Sequence, residues 1–315
     1  MAQIGKDIFY AKRLLEDGQL VAIPTETVYG LAANALDAEA VTRIFIAKNR
    51  PTFDPLIVHV ADRLQARAHT GAMPAAAAKL AEAFWPGPLT LVLPRSRHIP
   101  ELVTSGLDTV GIRCPNHPLT LELLRSLAFP LAAPSANPFG YVSPTRPEHV
   151  NAQLGDRVRY ILDGGPCQVG IESTIVGFEG DDAVIYRRGG LSQEAIEQIV
   201  GPVKTHLHSS SNPLTPGQLE SHYAPHKPVK LGHIDDLLAR ANSDRVAILS
   251  FSKDYKRPHQ FVLSPSGSLE EAAQNLFFAM RQLDNSPVDY ILAEEVPNEG
   301  LGMAINDRLR RASTR

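Results

Sequence analysis

The feature that most restricts the folds open to this chain is an alternation of short apolar runs, cut off by proline or glycine, with stretches of helical spacing. Leu20-Val21-Ala22-Ile23 reads as a strand stopped by Pro24, with Thr25, Glu26 and Thr27 in a polar turn behind it. Asp37 can N-cap a helix whose apolar face is Val41, Ile44 and Phe45, at i, i+3 and i+4. Pro51 closes that segment, because proline disfavours helical geometry in the residue before it, and Lys48 and Arg50 are left near the helix exit. Leu131-Ala132-Ala133 reads as another buried strand that runs into Pro134-Ser135-Ala136-Asn137. Thr145 and Glu148 have capping-box spacing for the helix after it. Strands and helices in alternation predict an α/β architecture.

The same texture continues to about Val203 and then gives way to Lys204-Thr205-His206-Leu207-His208-Ser209-Ser210-Ser211-Asn212-Pro213, which reads as a linker. Beyond it Val229–Leu231, Val246–Ser250 and Tyr290–Ala293 look like short buried strands, with helical patterns over 235–241 and 269–283. That pattern predicts a small parallel or mixed α/β domain. The expected division is a first domain over 1–203, a linker over 204–228 and a second domain over 229–315. A chain of 315 residues, 43% hydrophobic and 21% charged, is long enough for both. Neither half contains GxGxxG, so a dinucleotide role has no support, and no internal repeat links them.

With 31 Lys+Arg against 34 Asp+Glu, the net charge of −3 supplies no global positive field, so any polyanion site must be local. The two cysteines, Cys114 and Cys167, form no CxxC pair, which fits a reducing compartment and a structural role for both. Residues 1–10 carry Lys6 and Asp7 and lack a long apolar stretch, so neither a signal peptide nor a membrane span is expected and the expected address is the cytoplasm. Chemistry concentrates in the run Pro24-Thr25-Glu26-Thr27-Val28-Tyr29-Gly30, then Lys48-Asn49-Arg50-Pro51, then Pro55-Leu56-Ile57-Val58-His59. Hydroxyls, fixed cations and a histidine between apolar segments suit the lining of a site for an anionic ligand. Each motif alone also has an ordinary reading. A threonine-rich turn caps, a Lys-x-Arg pair is a solvated helix end, His59 is a half-buried histidine, and Ser135 with Asn137 satisfies a loop.

These motifs occur jointly and in order with Thr109-Val110-Gly111-Ile112-Arg113, Ser143-Pro144-Thr145, Gly170-Ile171-Glu172-Ser173-Thr174 and Tyr186-Arg187-Arg188-Gly189-Gly190. The set closely resembles the threonylcarbamoyl-AMP synthase family, of YrdC-type fold, in its two-domain form. Leu214-Thr215-Pro216-Gly217, Ser221-His222-Tyr223-Ala224-Pro225 and Gly300-Leu301-Gly302-Met303-Ala304-Ile305-Asn306-Asp307-Arg308-Leu309 extend the resemblance over nearly the whole chain. It implies a twisted mixed-sheet N-terminal domain and a smaller Rossmann-like α/β C-terminal domain. It also implies a reaction in which L-threonine and bicarbonate form a carbamate whose oxygen attacks the α-phosphorus of ATP and expels pyrophosphate. The product would feed threonylcarbamoyladenosine modification of tRNA next to the anticodon, through a downstream threonylcarbamoyl transferase complex, with tRNA an indirect target. Magnesium would arrive with ATP. Attack at phosphorus asks the protein for positioning and neutralisation of charge, which arginine and lysine supply.

Carried over by position, the resemblance places Thr27, His59, Arg113, Ala133 and Ser173 around L-threonine, with Arg113 forked onto its carboxylate. Arg50, Asp54, Thr109, Ser135, Ser143, Arg187, His222 and Tyr223 fall at ATP, and Lys48 and Arg50 are the expected catalytic cations. Replacing Arg50 is accordingly expected to damage ATP use far more than folding. Two residues depart from the family's usual pattern: Asp54 stands where asparagine is common, and Phe139 where serine is common. A carboxylate beside triphosphate repels it unless a metal or an arginine intervenes, so Asp54 is expected to turn away or to help hold magnesium. The linker stretch around His222 and Tyr223 is expected to fold over the cavity as a lid.

Other readings are weighed on the same residues. His206, His208, His222 and His226 crowd one segment, but Pro225 disrupts the helix that i, i+4 zinc ligation by His222 and His226 would need. Gly165 and Gly170 have Walker spacing, yet Ile171 and Glu172 replace the required Lys and Ser/Thr. Lys48, Arg50, Arg113 and Arg187 could instead form a basic concavity of a non-catalytic RNA-binding module, against which stand the acidic balance and the 6% aromatic content. A carbamoyl-transfer domain of the hydrogenase-maturation type would normally carry acylphosphatase and zinc-finger modules that are missing here.

Overall fold

Residues 1–207, 215–216 and 223–314 are described by a computed structural model, and among them the apolar runs pair into two separate sheets. The first sheet holds β1 (Gln3–Gly5), β2 (Val21–Ile23), β3 (Gly30–Asn34), β4 (Ile57–His59), β5 (Leu89–Pro94), β6 (Thr109–Arg113), β7 (Leu131–Ala132), β8 (Tyr160–Leu162), β9 (Thr174–Glu179), β10 (Asp182–Arg187) and β11 (Lys204–Thr205). Their spatial order is β1-β8-β2-β3-β7-β4-β6-β5-β9-β10-β11, with parallel and antiparallel neighbours mixed. The second sheet holds β12 (Val229–Leu231), β13 (Val246–Ser250), β14 (Gln260–Val262) and β15 (Tyr290–Ala293) in the order β12-β15-β13-β14, all parallel. Helices cover its strands, as a parallel sheet requires.

Local chemistry explains most of these boundaries. Asp37 caps the helix Ala38–Lys48, its Oδ1 accepting from the backbone N–H of Glu39 at 2.9 Å and of Ala40 at 3.3 Å. Val41, Ile44 and Phe45 are buried, and Asn49 ends the helix in a left-handed conformation, φ 53°. The Arg50 N–H then turns back to the Phe45 carbonyl, which aims the chain away from the helix axis before Pro51. Thr145 does not cap its helix. Pro147 occupies the first turn of Pro147–Leu154, Arg146 is the cap residue without a side-chain bond, and the Thr145 N–H instead donates to His149 Nδ1 at 3.2 Å. β14 is half-buried, with no apolar run long enough to mark it in the sequence. β11 falls inside the segment expected to be linker and adds a parallel strand to β10.

The register of the large sheet builds the site. β4 and β6 run parallel with His59 opposite Arg113, while β7 pairs antiparallel with the other edge of β4. A second apolar cluster joins Val28, Tyr141, Val142 and Ile171 of the first sheet's half to Phe277, Met280 and Ile305 of the C-terminal half. Polar links reinforce it: the Tyr141 hydroxyl donates to Asp284 Oδ2 at 2.6 Å, and Arg281 donates to the carbonyls of Val142 and Ser143.

Gly170 marks how closely the halves approach. Its φ of +80° suits glycine, and a Cβ there would lie 2.4 Å from the Gln274 Cα. Gly170→Ala should therefore combine overpacking with backbone strain and destabilise the protein by about 2–4 kcal/mol. Thermal melts check this, with faster protease cleavage between the halves than in the unaltered protein.

Candidate active site

A cavity of about 50 Å³ opens where β4, β6 and β7 meet the turn after β2. Its wall is made by Arg50, His59, Arg113, Ala133, Ser135, Glu172, Ser173 and Arg187, and the linker residues Pro216 and Tyr223 close one side. The space is far below the roughly 300–1,000 Å³ of ordinary ligand pockets, so this is a closed arrangement. A roomier groove of about 610 Å³ lies elsewhere, beside Arg43, Arg157 and Arg159. It holds none of the expected site residues, and Arg43 and Arg157 are tied there to the carbonyls of Gly18 and Ala47.

Each buried cation at the cavity has a defined set of oxygen acceptors. Arg113 NH2 pairs with Glu26 Oε1 at 2.8 Å and donates to Thr27 Oγ1 at 2.8 Å, while its Nε is buried without a hydrogen-bond partner. Arg50 pairs with Asp54 Oδ2 at 2.9 Å and donates to the carbonyls of Asp54 and Pro55. Arg187 donates to Ser173 O and Oγ, and through NH1 to the Pro216 carbonyl at 3.2 Å. Burial lowers the pKa of both Arg50 and Arg187, and Asp54 partly offsets this for Arg50. His59 is driven down to about 3, first by burial and then by the Arg113 charge, so it is neutral at working pH. Its Nδ1 lies 3.3 Å from the Ile57 carbonyl, and the tautomer that donates there leaves Nε2 as an acceptor.

Most of the expected residues are brought together, but in unequal roles. Arg50, His59, Arg113, Ala133, Ser135, Ser173, Arg187 and Tyr223 line the cavity. Thr27 and Ser143 stand one layer behind it: Thr27 supports Arg113, and the Ser143 hydroxyl donates to Glu172 Oε1 at 2.5 Å. Thr109 is exposed and borders an adjoining hollow with Thr215 and Pro216. Lys48, expected to meet phosphate, is 1% exposed and absent from the lining. Its Nζ donates to the carbonyls of Ser135 and Asn137, which makes it a clamp on that loop, and burial lowers its pKa well below the ordinary lysine value. His222 lies outside the described residues, as do His208, Leu214, Gly217 and Ser221.

Both departures from the family pattern touch Arg50. Asp54, wholly buried, is its ion-pair partner, so an arginine stands beside this carboxylate at the cavity. The Arg50 guanidinium also stands 5.8 Å above the Phe139 ring. No group of three or more His, Cys, Asp or Glu side chains is gathered as a metal site among the described residues. His226 Nδ1 donates to Asp284 Oδ2 at 3.0 Å, facing the C-terminal half. Lys48, Arg50, Arg113 and Arg187 are all buried, so they form no open concavity for an RNA backbone. Burial pushes the Cys114 thiol up to about 12 and the Cys167 thiol higher, so neither is a nucleophile.

Three contributors escaped the reading of the sequence: Glu26, Glu172 and Arg308. All lie inside the quoted motifs, but what marks them is the buried arginine or carboxylate each pairs with, which strand register and domain packing decide.

Comparisons with known proteins identify the family. A family model described as telomere recombination, labelled for the Sua5, YciO and YrdC proteins, matches residues 13–189, and one described as the threonylcarbamoyl-AMP synthase C-terminal domain matches residues 191–314. The threonylcarbamoyl-AMP synthase of Pyrococcus abyssi is 42% identical over 318 residues, spanning 96% of this chain and 93% of its own. That of Bacillus subtilis is 41% identical over 324 residues, spanning 97% and 92%. The crystal structure of P. abyssi Sua5 complexed with L-threonine superposes with a TM-score of 0.93 at 40% identity, over 99% of this chain and 97% of that one.

The Arg50–Asp54 pair gives Arg50 a structural role beside the one expected of it in ATP use. Arg50→Ala strands a buried carboxylate and should cost about 3–5 kcal/mol, read as a lower thermal midpoint. Asp54→Asn should cost less, because the carbonyls of Asp54 and Pro55 still hold the guanidinium. A pH dependence also follows. His59 and His149, the latter also down to about 3 by burial, stay neutral in the folded state while the unfolded histidines take up protons below about pH 6.5. Their contribution is present above pH 6.5 and is lost as pH falls toward 3. Urea titrations at pH 7 and pH 5 should show lower stability at pH 5, and His149→Gln should narrow the gap.

Proposed function

The chain belongs to the threonylcarbamoyl-AMP synthase family, and we propose that the cavity beneath its linker is where L-threonine, bicarbonate and ATP are joined. The activity is that of an L-threonylcarbamoyladenylate synthase, an ATP-using nucleotidyltransferase whose product serves threonylcarbamoyladenosine modification of tRNA.

The observation that carries the assignment of the cavity is Arg113. Glu26 and Thr27 fix one end of its guanidinium, and the buried Nε is left without an acceptor. A buried donor in that state costs about 1–3 kcal/mol, and the carboxylate of an amino acid would satisfy it. The likeness to a structure that contains L-threonine supports the same placement. His59, neutral and beside Arg113, then offers Nε2 to the substrate's amine, while Val28, Ile57 and Ala133 give its methyl group an apolar wall.

ATP is assigned to the side of Arg50, Ser135 and Arg187. With the carbamate of threonine next to the α-phosphorus, one of its oxygens forms the new P–O bond as the bond to pyrophosphate breaks. Arg50 and Arg187 neutralise the charge that spreads over the phosphoryl oxygens, so no side chain need become covalently bound. Magnesium fits as a passenger of ATP. The carboxylates bordering the site, Glu26, Asp54 and Glu172, are each engaged by an arginine, so phosphate oxygens rather than these side chains would hold the ion. When bound it would add to the neutralisation of the leaving pyrophosphate.

A cavity of about 50 Å³ admits neither nucleotide nor product, so the segment carrying Pro216 and Tyr223 is assigned the role of a lid. Closed, it would keep water from the mixed anhydride. Release of the product would supply the transferase complex that acts on tRNA.

Two measurements test the reading. Pyrophosphate release from ATP with magnesium should require both L-threonine and bicarbonate and proceed without tRNA; release indifferent to threonine would overturn it. Arg113→Lys should raise the KM for threonine about 10- to 100-fold, as expected for loss of a charge-assisted fork of about 1.5–3 kcal/mol, with the KM for ATP little changed.

A further inference from the structure

Arg308 reaches the wall of the site from the opposite domain, through Glu172. It lies on the C-terminal helix Gly302–Ala312 and is completely buried. Its Nε and NH2 both lie 3.1 Å from Glu172 Oε2, its NH1 donates to the Arg188 carbonyl at 2.7 Å, and its guanidinium stands 5.1 Å above the Tyr223 ring. Glu172 lines the cavity and holds the Ser143 hydroxyl through its other oxygen. A chain of contacts thus runs from the C-terminal helix through Glu172 to Ser143, with Tyr223 of the linker pressed against it.

We infer that Arg308 is a positioning residue of the synthase: the C-terminal domain supplies it to neutralise and orient Glu172, so that the cavity wall is ready for the phosphates of ATP. This rests on the reading of the cavity as the nucleotide site. A carboxylate facing that space without a cation would repel triphosphate and would be free to swing away from Ser143. Arginine suits the task because its fork reaches Glu172 and the Arg188 carbonyl at once, whereas a lysine would supply charge without fixing direction. The described links made by Arg281 and Asp284 do not do this. Arg281 and Asp284 end on Val142, Ser143 O and the Tyr141 hydroxyl, none of which lines the cavity. The C-terminal domain is on this account part of the ATP site.

The test compares steady-state kinetics with thermal melts on the full chain. Arg308→Met should raise the KM for ATP about tenfold or more while the KM for threonine changes little. Adding Glu172→Gln to Arg308→Met should recover much of that loss, because the stranded charge is removed. Arg308→Lys keeps the charge and serves if the methionine variant does not fold: its KM for ATP should stay near the unaltered value while kcat falls. Asp284→Asn is the interface control, with a lower melt and an unchanged KM for ATP. A lower melt for Arg308→Met with unchanged KM for ATP, a Glu172→Gln substitution that only deepens the loss, or full activity in Arg308→Lys would overturn the inference. Pyrophosphate release by the unaltered enzyme that ignores threonine would overturn the reading of the cavity and this inference with it.

Discussion

Keeping arginines buried around a small cavity is the constraint on which the rest of this structure depends. Taking a charge out of water costs several kcal/mol per ion, and only close partners offset it. Arg50, Arg113 and Arg308 each have a carboxylate within 2.8–3.1 Å, from Asp54, Glu26 and Glu172. Arg187 lies instead among the oxygens of Ser173 and Pro216. These contacts tolerate little error, so the elements that carry them are the ones whose geometry cannot drift: paired strands, the turn after a capped helix, and a helix seated in an apolar cluster. The same pairs moderate the field that an incoming anion meets. A cavity with uncompensated arginines would hold any small anion, whereas here Arg50, Arg113 and Arg187 are each engaged by protein oxygens and the buried Nε of Arg113 is left over. Selectivity then comes from which donors remain, as with the Nε of Arg113.

How far the sequence revealed this follows from which interactions are local. The helix Ala38–Lys48 was legible because Asp37, the apolar face and Pro51 are close in sequence. β12, β13 and β15 were legible because a buried parallel strand is a continuous apolar run. β14 and β11 were not, since each takes strand form through its neighbour rather than through its own composition. At the site, motif order collected His59, Arg113, Ser173 and Arg187, but no local signal separates a lysine that reaches a ligand from one that reaches a carbonyl. Lys48 has helix-exit spacing in either case. Only the position of the loop carrying Ser135 and Asn137 decides that its Nζ is consumed there. Glu26 and Glu172 were hidden for the converse reason: a glutamate in a polar turn looks solvated until an arginine from a distant strand or helix is placed against it.

On the proposed reading the two substrates would meet different parts of the molecule. On the threonine side, His59, Arg113 and Ala133 belong to neighbouring strands of one sheet, where backbone pairing leaves little freedom. On the side assigned to nucleotide the wall is composite, made by Arg187 of β10, by Pro216 and Tyr223, and by Glu172, which Arg308 of the C-terminal helix holds. Tyr223 adopts φ 62°, uncommon for a residue with a side chain, and its ring is held between Phe277 and the Arg308 guanidinium. At the other end of that segment the Pro216 carbonyl has a single described tie, to Arg187 NH1 at 3.2 Å. Arg187 is also the arginine at the cavity whose described acceptors include no carboxylate. A ligand that takes NH1 of Arg187 replaces the bond it breaks at Pro216 with a stronger charge-assisted one. A nucleotide placed there would therefore compete with Pro216 for Arg187, while Tyr223 keeps its contacts with Phe277 and Arg308.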